Sequence, residues 1–496
     1  MDTLVLEDVD SVFIRVRCER GTAKELSDCF SFKVPNHKYM SRFRKTRWSG
    51  DIKLYNIGKA TIYRGLKNYV TKFAADRGYH IENNLTSTPK IPLSPDDVDT
   101  LFQRCVGKAS GITSLHDHQR DAIVKAAETS RILLVSPTGS GKSMIIYLLA
   151  RHLLENTEGK ILIVVPTIGL VAQMTSDFEN YAKGTDWKVT KNCHAIYAGQ
   201  DKDTNKRIVI TTWQSIFKQP RSWFDQFSVA FGDECHMYKA KSLSGIMEKL
   251  ITCNHRIGTT GTLDGMQSHK LIIEGLFGPS YHVTSTKKLI DKNILSNLKI
   301  DTILLQYPDE DRRTMSKHNY SDEMLWLVHN AKRNKFITDL AHRIKGNTLI
   351  LFQYVEKHGK VLYDLAKETD KRKVFFVHGG TDVEDREAVR KILEENDSCI
   401  VVASYGTFST GISIKRLHNI IFASPSKSRI RVLQSIGRQL RVSEHKQFAK
   451  LYDIGDDLSW KTRQNHTLRH FAERIKIYRS EKFEFRPIIL KMENLQ

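Results

Sequence analysis

The sequence predicts an α/β protein: two parallel-sheet domains in tandem, preceded by a small α+β domain. Three observations carry this. Short β-branched apolar runs alternate with longer segments of helical apolar spacing, and the alternation occurs twice. A proline-punctuated stretch sets apart about the first 95 residues. The length, 496 residues, exceeds what one hydrophobic core fills, so about two to four domains are expected.

"TSTPKIPLSPDD" (Thr86 to Asp97) carries three prolines within seven polar-flanked residues and reads as a linker. It closes a first, accessory domain at residues 1–95. Beyond it, "RILLVSP", "ILIVVPT", "RIVITT" and "VAFGDE" are strand-like runs that turn polar at their carboxyl ends, and "SMIIYLLARHLLE" between them has helical spacing. Buried parallel strands joined by helices produce this pattern, with ligand sites at the carboxyl ends of the strands. "NTLILFQ", "KVFFVHG", "CIVVASYG" and "NIIFASP" repeat it. The changeover falls near Thr284 to Leu295, giving domains at 96–285 and 286–496. The tail from Trp460 is basic, with apolar residues at helical spacing, and predicts a closing helix on the last domain.

Composition narrows the function classes. With 40% hydrophobic and 27% charged residues the chain is globular rather than disordered. No apolar run approaches the roughly 20 residues that span a bilayer, and "MDTLVLEDVD" lacks the organisation of a signal peptide, so a soluble cytoplasmic location is expected. The seven cysteines are scattered without a CxxC, which argues against a disulfide framework and a thiolate zinc site. Lys and Arg number 77 against 56 Asp and Glu, a net charge of +21 that attracts polyanions. Nucleic acid is the leading partner; an anionic membrane surface comes second.

"SPTGSGKS" (Ser136 to Ser143) follows a strand pattern and opens a helix pattern. Gly139 and Gly141 let backbone N–H groups turn towards phosphate oxygens, Lys142 reaches the β- and γ-phosphates, and Ser143 supplies a Mg²⁺ ligand. About ninety residues on, "VAFGDECH" ends a strand-like run with Asp233 and Glu234. One carboxylate can hold Mg²⁺ while the other orients and deprotonates water, a division of labour that suits phosphoryl transfer. Far along the chain, "QSIGRQLR" (Gln434 to Arg441) opens on an apparent helix and places Arg438 and Arg441 three residues apart, on one face. Such a pair can stabilise charge on a nucleotide held between two α/β domains.

These segments, in this order, resemble the superfamily 2 helicases and translocases from about Gly111 to Arg441. "HDHQRDAI" is similar to the adenine-reading segment, with Gln119 the matching glutamine. "SPTGSGKS" resembles motif I, "VVPTIGLVAQ" motif Ia, "VITTWQSI" motif Ib and "DECH" motif II. "GTTGTL" resembles motif III, "TLILFQYVEKHGKVL" motif IV, "ASYGTFSTGISI" motif V and "QSIGRQLR" motif VI. The resemblance implies RecA-like motor domains that use ATP and Mg²⁺. It implies Lys142, Asp233, Glu234, Arg438 and Arg441 as catalytic residues, with Ser143 and Asp233 on the metal. Gln119, Thr138, Gly139, Ser140, Gly141, Lys142, Ser143 and Gly411 would surround the nucleotide. Two positions depart from the pattern: Ser136 replaces the first loop glycine, and Ser413 stands where many relatives carry Asp.

A narrower resemblance joins the chain to the bacteriophage UvsW helicases, through "FRKTRWSGDIKLYN", "QPRSWFDQFSVAFGDECH", "VVASYGTFSTGIS" and "VLQSIGRQLR". It implies ATP-dependent remodelling of branched DNA at forks, Holliday junctions, D-loops or R-loops, RNA being a partner in the last. "HKYMSRFRKTRWSG" interleaves cations with Tyr39, Phe43 and Trp48, and marks Arg42, Arg44, Lys45 and Arg47 as DNA contacts. The family places Thr167, Thr211, Gln214 and Thr410 near the sugar–phosphate backbone. Trp213 is read as packing between strand and helix rather than as a base wedge. An RNA helicase, a double-stranded DNA translocase and a non-enzymatic nucleic-acid-binding protein are the alternatives.

Overall fold

The structure, a computed structural model, describes residues 2–495 other than 35–36, 40–42, 44–45, 47, 198, 239, 370–371, 412–413, 415, 427 and 441–447. Two compact units make up the chain. One comprises Met1–Ser136 and Gly141–Val283; the other comprises Thr284–Gln496 with Pro137–Ser140.

The first unit begins with strands β1 (Thr3–Asp8), β2 (Phe13–Arg17), β3 (Ser31–Lys33), β4 (Asp51–Lys53), β5 (Thr61–Tyr63) and β6 (His80–Asn84). Four of them form a mixed sheet in the order β5-β2-β1-β6, and β3 and β4 pair as a separate hairpin. Leu4, Leu6, Ile14 and Val16 alternate with more exposed neighbours and are fully buried, because every second side chain points to one face. The helices Arg20–Cys29 and Lys67–Arg77 contribute Leu26, Val70 and Phe73 to the same core.

Polar contacts tie this small sheet to the rest of the first unit. The Tyr63 hydroxyl donates to Glu248 at 2.5 Å, the Tyr69 hydroxyl to Glu274 at 2.6 Å, and Ser11 Oγ to Asn254 at 2.7 Å. Between the two parts, Thr86 N donates to Asp8 at 2.7 Å. The expected linker ends earlier than its composition suggested. Ser94 and Asp97 cap each other's backbone, and the helix Pro95–Cys105 starts there with proline at its first position, so three of the residues read as linker form a helical turn.

Strands β7 (Arg131–Val135), β8 (Lys160–Val165), β9 (Cys193–Ile196), β10 (Ile208–Thr212), β11 (Phe227–Gly232), β12 (His255–Thr260) and β13 (Ser280–His282) form the first large sheet. Its order is β13-β7-β12-β11-β8-β10-β9, and every pairing is parallel. β7, β10 and β12 are buried at every position, as a sheet covered on both faces requires. The helix Lys142–Asn156 buries every residue from Met144 to Leu153.

In the second unit, β14 (Asn297–Gln306), β15 (Thr348–Phe352), β16 (Lys373–Val377), β17 (Cys399–Ser404), β18 (Asn419–Phe422), β19 (Phe448–Asp457) and β20 (Phe485–Lys491) form another all-parallel sheet. The order is β16-β17-β15-β18-β19-β14-β20. The tail does form a helix, His466–Ser480, but the chain then adds β20 at the sheet edge. The sequence hid this strand because "FRPIILK" is largely exposed and contains Pro487, which an edge position tolerates.

Among the described residues of this unit, the fully buried arginines each meet a buried carboxylate. Arg333 and Asp456 are both fully buried; the guanidinium donates from Nε at 2.7 Å and from Nη2 at 3.0 Å, and Tyr307 donates to the same carboxylate at 2.9 Å. Arg474 and Tyr478 hold Asp453 in the same way. His358 is buried between Ser424 Oγ at 3.0 Å and Asn334 Oδ1 at 3.2 Å. Asn334 donates its amide to Val328 O, so its oxygen faces the imidazole and accepts from Nε2, leaving Nδ1 to accept from Ser424. Burial, reinforced by the nearby Arg333 charge, pushes the His358 pKa down to about 3.

Arg333→Met leaves Asp456 buried without its cation and should cost about 3–5 kcal/mol in denaturant unfolding, most of which Arg333→Met/Asp456→Leu should restore. The unfolded chain binds a proton that buried His358 refuses, so its contribution to stability is complete above its ordinary pKa of 6.5 and declines as pH falls towards 3. The slope reaches about 1.4 kcal/mol per pH unit, and unfolding curves of His358→Gln should lack that part of it.

Candidate nucleotide and nucleic-acid site

Because every strand of the first large sheet runs the same way, the loops leaving β7, β12, β11, β8, β10 and β9 all emerge at one edge. The phosphate loop leaves β7. Ser136 is fully buried; its N–H donates to Thr260 O at 2.8 Å and its carbonyl accepts from Lys142 Nζ at 3.2 Å. It does not adopt a positive φ, so glycine is not required there. Gly139 and Gly141 do, at +86° and +81°. Within the turn, Ser140 Oγ donates to Pro137 O at 2.7 Å. Thr138, one residue before Gly139, is half-buried.

Gln119 is buried against this loop: a Cβ at Gly141 would lie 2.0 Å from its Nε2. Its Oε1 accepts from His116 N at 3.1 Å, which caps the helix Asp117–Ala127 and fixes the amide. Ser143 Oγ lies 3.1 Å from the Tyr181 hydroxyl, a neighbour that sequence reasoning missed.

β11 delivers the carboxylates. Gly232 on β11 pairs with Gly258 on β12, and a Cβ at either would meet the Phe277 ring at 2.5 Å or 3.0 Å, so both glycines let this helix side chain pack on the sheet. Asp233 follows at once, 8% exposed, and accepts from the Thr259 hydroxyl at 2.7 Å. Burial raises its pKa and Glu234 raises it further, while Lys142 and the Thr259 hydrogen bond oppose them. Glu234 adopts a left-handed φ of 50°, a strain of about 1–3 kcal/mol that turns the chain sharply after Asp233. His236 Nδ1 lies 3.2 Å from both Glu234 Oε2 and Thr260 Oγ1, joining the carboxylate loop to the end of β12.

The donor chemistry fits Mg²⁺ with ATP. Mg²⁺ takes one or two protein oxygens and completes its shell with phosphates and water, and here one carboxylate, Asp233, and one hydroxyl, Ser143, are available. Among the described residues no helix is long and apolar enough to cross a membrane.

Beyond β11 the edge changes character. Thr167, after β8, caps the helix Ile168–Ala182 by accepting from Leu170 N at 3.3 Å, so a helix amino terminus opens at the surface. Gln214 is exposed. Thr211 is not available for the backbone contact expected of it: it is fully buried within β10, and its hydroxyl donates to Ile196 O at 3.1 Å. The strand's last residue, Thr212, is buried as well, and its hydroxyl lies 3.0 Å from Ser215 Oγ. Trp213 is half-buried, packed on the core on one side and against Phe217 on the other.

In the second unit, Arg438 is half-buried one residue before the end of the helix Arg429–Gln439. "QSIGRQLR" therefore occupies the helix's last turns rather than opening it, because Ser428 supplies the cap further upstream. Arg441 lies outside the described residues, so of the expected arginine pair only Arg438 is placed. Thr410 and Gly411 end the helix Tyr405–Gly411, and only their backbone is described. Arg42, Arg44, Lys45 and Arg47 also lie outside the described residues. They belong to the segment joining β3 to β4, where Trp48 Nε1 donates to Asp51 O at 2.8 Å and Phe43 packs edge-on against His37.

The crowding at Gly141 gives a direct test. Gly141→Ala combines an unsuitable φ with a clash against Gln119, and should weaken binding of a fluorescent ATP analogue at least about tenfold in titrations.

Comparison with known proteins agrees with this geometry. Residues 4–84 match the family described as "DNA helicase UvsW, N-terminal", residues 112–265 "Type III restriction enzyme, res subunit" and residues 331–443 "Helicase conserved C-terminal domain". The ATP-dependent DNA helicase uvsW of Enterobacteria phage T4 is 35% identical over 504 aligned residues, 98% of each chain. The crystal structure of T4 UvsW superposes with a TM-score of 0.52 at 34% identity, covering 99% of this chain and 100% of that one. Mss116p bound to ssRNA and AMP-PNP, 15% identical with a TM-score of 0.57 over 82% of this chain and 81% of its own, shares the fold. Two all-parallel RecA-like sheets behind a small α+β region, with a relative this similar across nearly the whole length, place the chain in the UvsW family of superfamily 2 helicases.

Proposed function

We propose that this chain is an ATP-driven DNA helicase that remodels branched DNA by branch migration, fork regression, or D-loop and R-loop unwinding. The observation that carries the reading is the division of one sheet edge. Phosphate loop and carboxylates occupy its β7, β12 and β11 part, and the Thr167 helix terminus with Gln214 occupies its β8 and β10 part. A protein that only bound nucleic acid would need the second part and not the first.

In this reading Lys142 and the loop N–H groups hold the β- and γ-phosphates, and Gln119 reads the base. Ser143 and Asp233 would hold Mg²⁺, which supplies charge neutralisation on the phosphates when bound. Glu234, turned away from Asp233 by its backbone, orients the attacking water and takes its proton. Arg438, with Arg441, stabilises the developing negative charge. The Thr259–Asp233 and His236–Thr260 contacts tie the carboxylate loop to β12, on the phosphate-loop side of β11. Hydroxyl, amide and helix-terminus contacts grip phosphate without reading sequence, as a motor requires.

The small N-terminal sheet supports the branched-substrate reading, since its contacts to Glu248, Glu274 and Asn254 fasten an accessory region to the first motor domain. Residues 1–95, 96–285 and 286–496 then serve as accessory, first motor and second motor domains.

The test compares ATP hydrolysis without DNA, with linear duplex and with matched fork, four-way junction, D-loop, R-loop and duplex RNA. Stimulation should be greatest with branched DNA. Lys142→Ala should lose hydrolysis by a factor of about 10² or more and lose unwinding, while binding DNA in gel-shift at low salt. Retained unwinding by that variant, or greatest stimulation by duplex RNA, would overturn the reading.

A further inference from the structure

Among the described residues between the linker and the end of the first unit, the exposed large hydrophobic side chains are Ile168, Tyr197 and Phe217, at 50%, 37% and 37% exposure. Exposed apolar residues scattered singly are ordinary and call for no explanation. These three are not scattered. Ile168 stands three residues beyond the end of β8, Tyr197 one beyond β9, and Phe217 five beyond β10. The three strands are consecutive neighbours, with Thr212 opposite Val165 and Thr211 opposite Ile196. All three side chains therefore leave the same edge, on the side away from the phosphate loop.

The local structure presents Phe217 rather than burying it. Trp213 packs one side of its indole on the core and sets its ring 5.9 Å from Phe217 at 60°. Lys249 Nζ donates to Phe217 O at 2.8 Å and Gln219 O at 2.7 Å, pinning the turn from behind. Lys218 is exposed, with its ammonium 5.8 Å from the Phe217 ring. Thr167, the phosphate candidate at the helix amino terminus, immediately precedes Ile168.

We propose that Ile168, Tyr197 and Phe217 form a base-contacting strip that holds an unpaired DNA strand by its nucleobases, beside the phosphate contacts of Thr167 and Lys218. The proposal rests on the helicase reading of this edge and specifies its ligand. Two exposed rings and an apolar branch give faces on which any base can lie without sequence preference, and the Lys218 ammonium beside Phe217 matches the strand's charge. Paired bases hide the faces this strip needs, so it favours a strand that has already been opened and opposes its re-annealing.

The test keeps phosphate number constant and varies the bases. Fluorescence anisotropy compares a labelled oligothymidylate with an abasic strand of equal length, for the wild type, Phe217→Leu and Phe217→Tyr. The wild type should bind the base-bearing strand about tenfold more tightly, the effect of one stacked base. Phe217→Leu should lose most of that ratio. Phe217→Tyr, which keeps the ring, should retain it and serves as the control for folding. Equal binding of both strands by the wild type, or an undiminished ratio in Phe217→Leu, would overturn the strip, whether that surface instead meets a protein or nothing. A wild-type chain that unwinds forks yet shows no base-dependent ratio loses only the strip. One that shows the ratio without DNA-stimulated hydrolysis loses only the motor.

Discussion

The parallel pairing of β11 between β8 and β12 is the constraint on which the rest of the first motor sheet depends. Antiparallel strands would send alternate loops to opposite ends; parallel strands send every carboxyl-end loop to one edge. Asp233 and Glu234 leave the central strand, so they have the phosphate loop and β12 on one side and the β8 and β10 loops on the other. The hydrogen-bond ladder that stabilises the sheet also brings the phosphate loop, the carboxylates and the Thr167 helix terminus within a few strand spacings, about 4.8 Å each. Gly232 and Gly258 hold that geometry because only hydrogen leaves room for the Phe277 ring against both strands.

Burial of charge is used differently in the two units. Around Arg333–Asp456 and Arg474–Asp453, each buried cation has its carboxylate and the remaining lone pairs are met by tyrosine hydroxyls. Such pairs fix one arrangement of strands and helices. Asp233 is buried with Glu234 close by, and its carboxyl is pushed up. A structural carboxylate would be destabilising there.

The second sheet shows where periodicity stops being informative. β15, β17 and β18 are central and almost entirely buried, so their apolar runs are continuous and readable. β20 is an edge strand with mixed exposure and a proline, and β14 and β19 carry Asp301, Lys450 and Asp453 within their strands. Those charges are satisfied by partners distant in sequence, Arg486 with Asp301 among them, which no local pattern reveals.

The sequence alone determined the fold class and the family, through the order of its motifs. The phosphate loop, DECH and the ordered helicase motifs are local: spacing along one strand–loop–helix is enough to place Lys142, Ser143, Asp233 and Glu234. Only the tertiary structure decided which of the remaining residues meet. Thr211 reads in the sequence as a backbone contact, but the pairing of β10 between β8 and β9 buries it and commits its hydroxyl to Ile196 O. Thr259 became the partner of Asp233 because β12 lies beside β11 in that register. Ile168, Tyr197 and Phe217 are tens of residues apart and share a strip because β8, β10 and β9 are neighbours in space. Strand order is set by the packing of the whole domain, so contacts across it are fixed only when the domain folds.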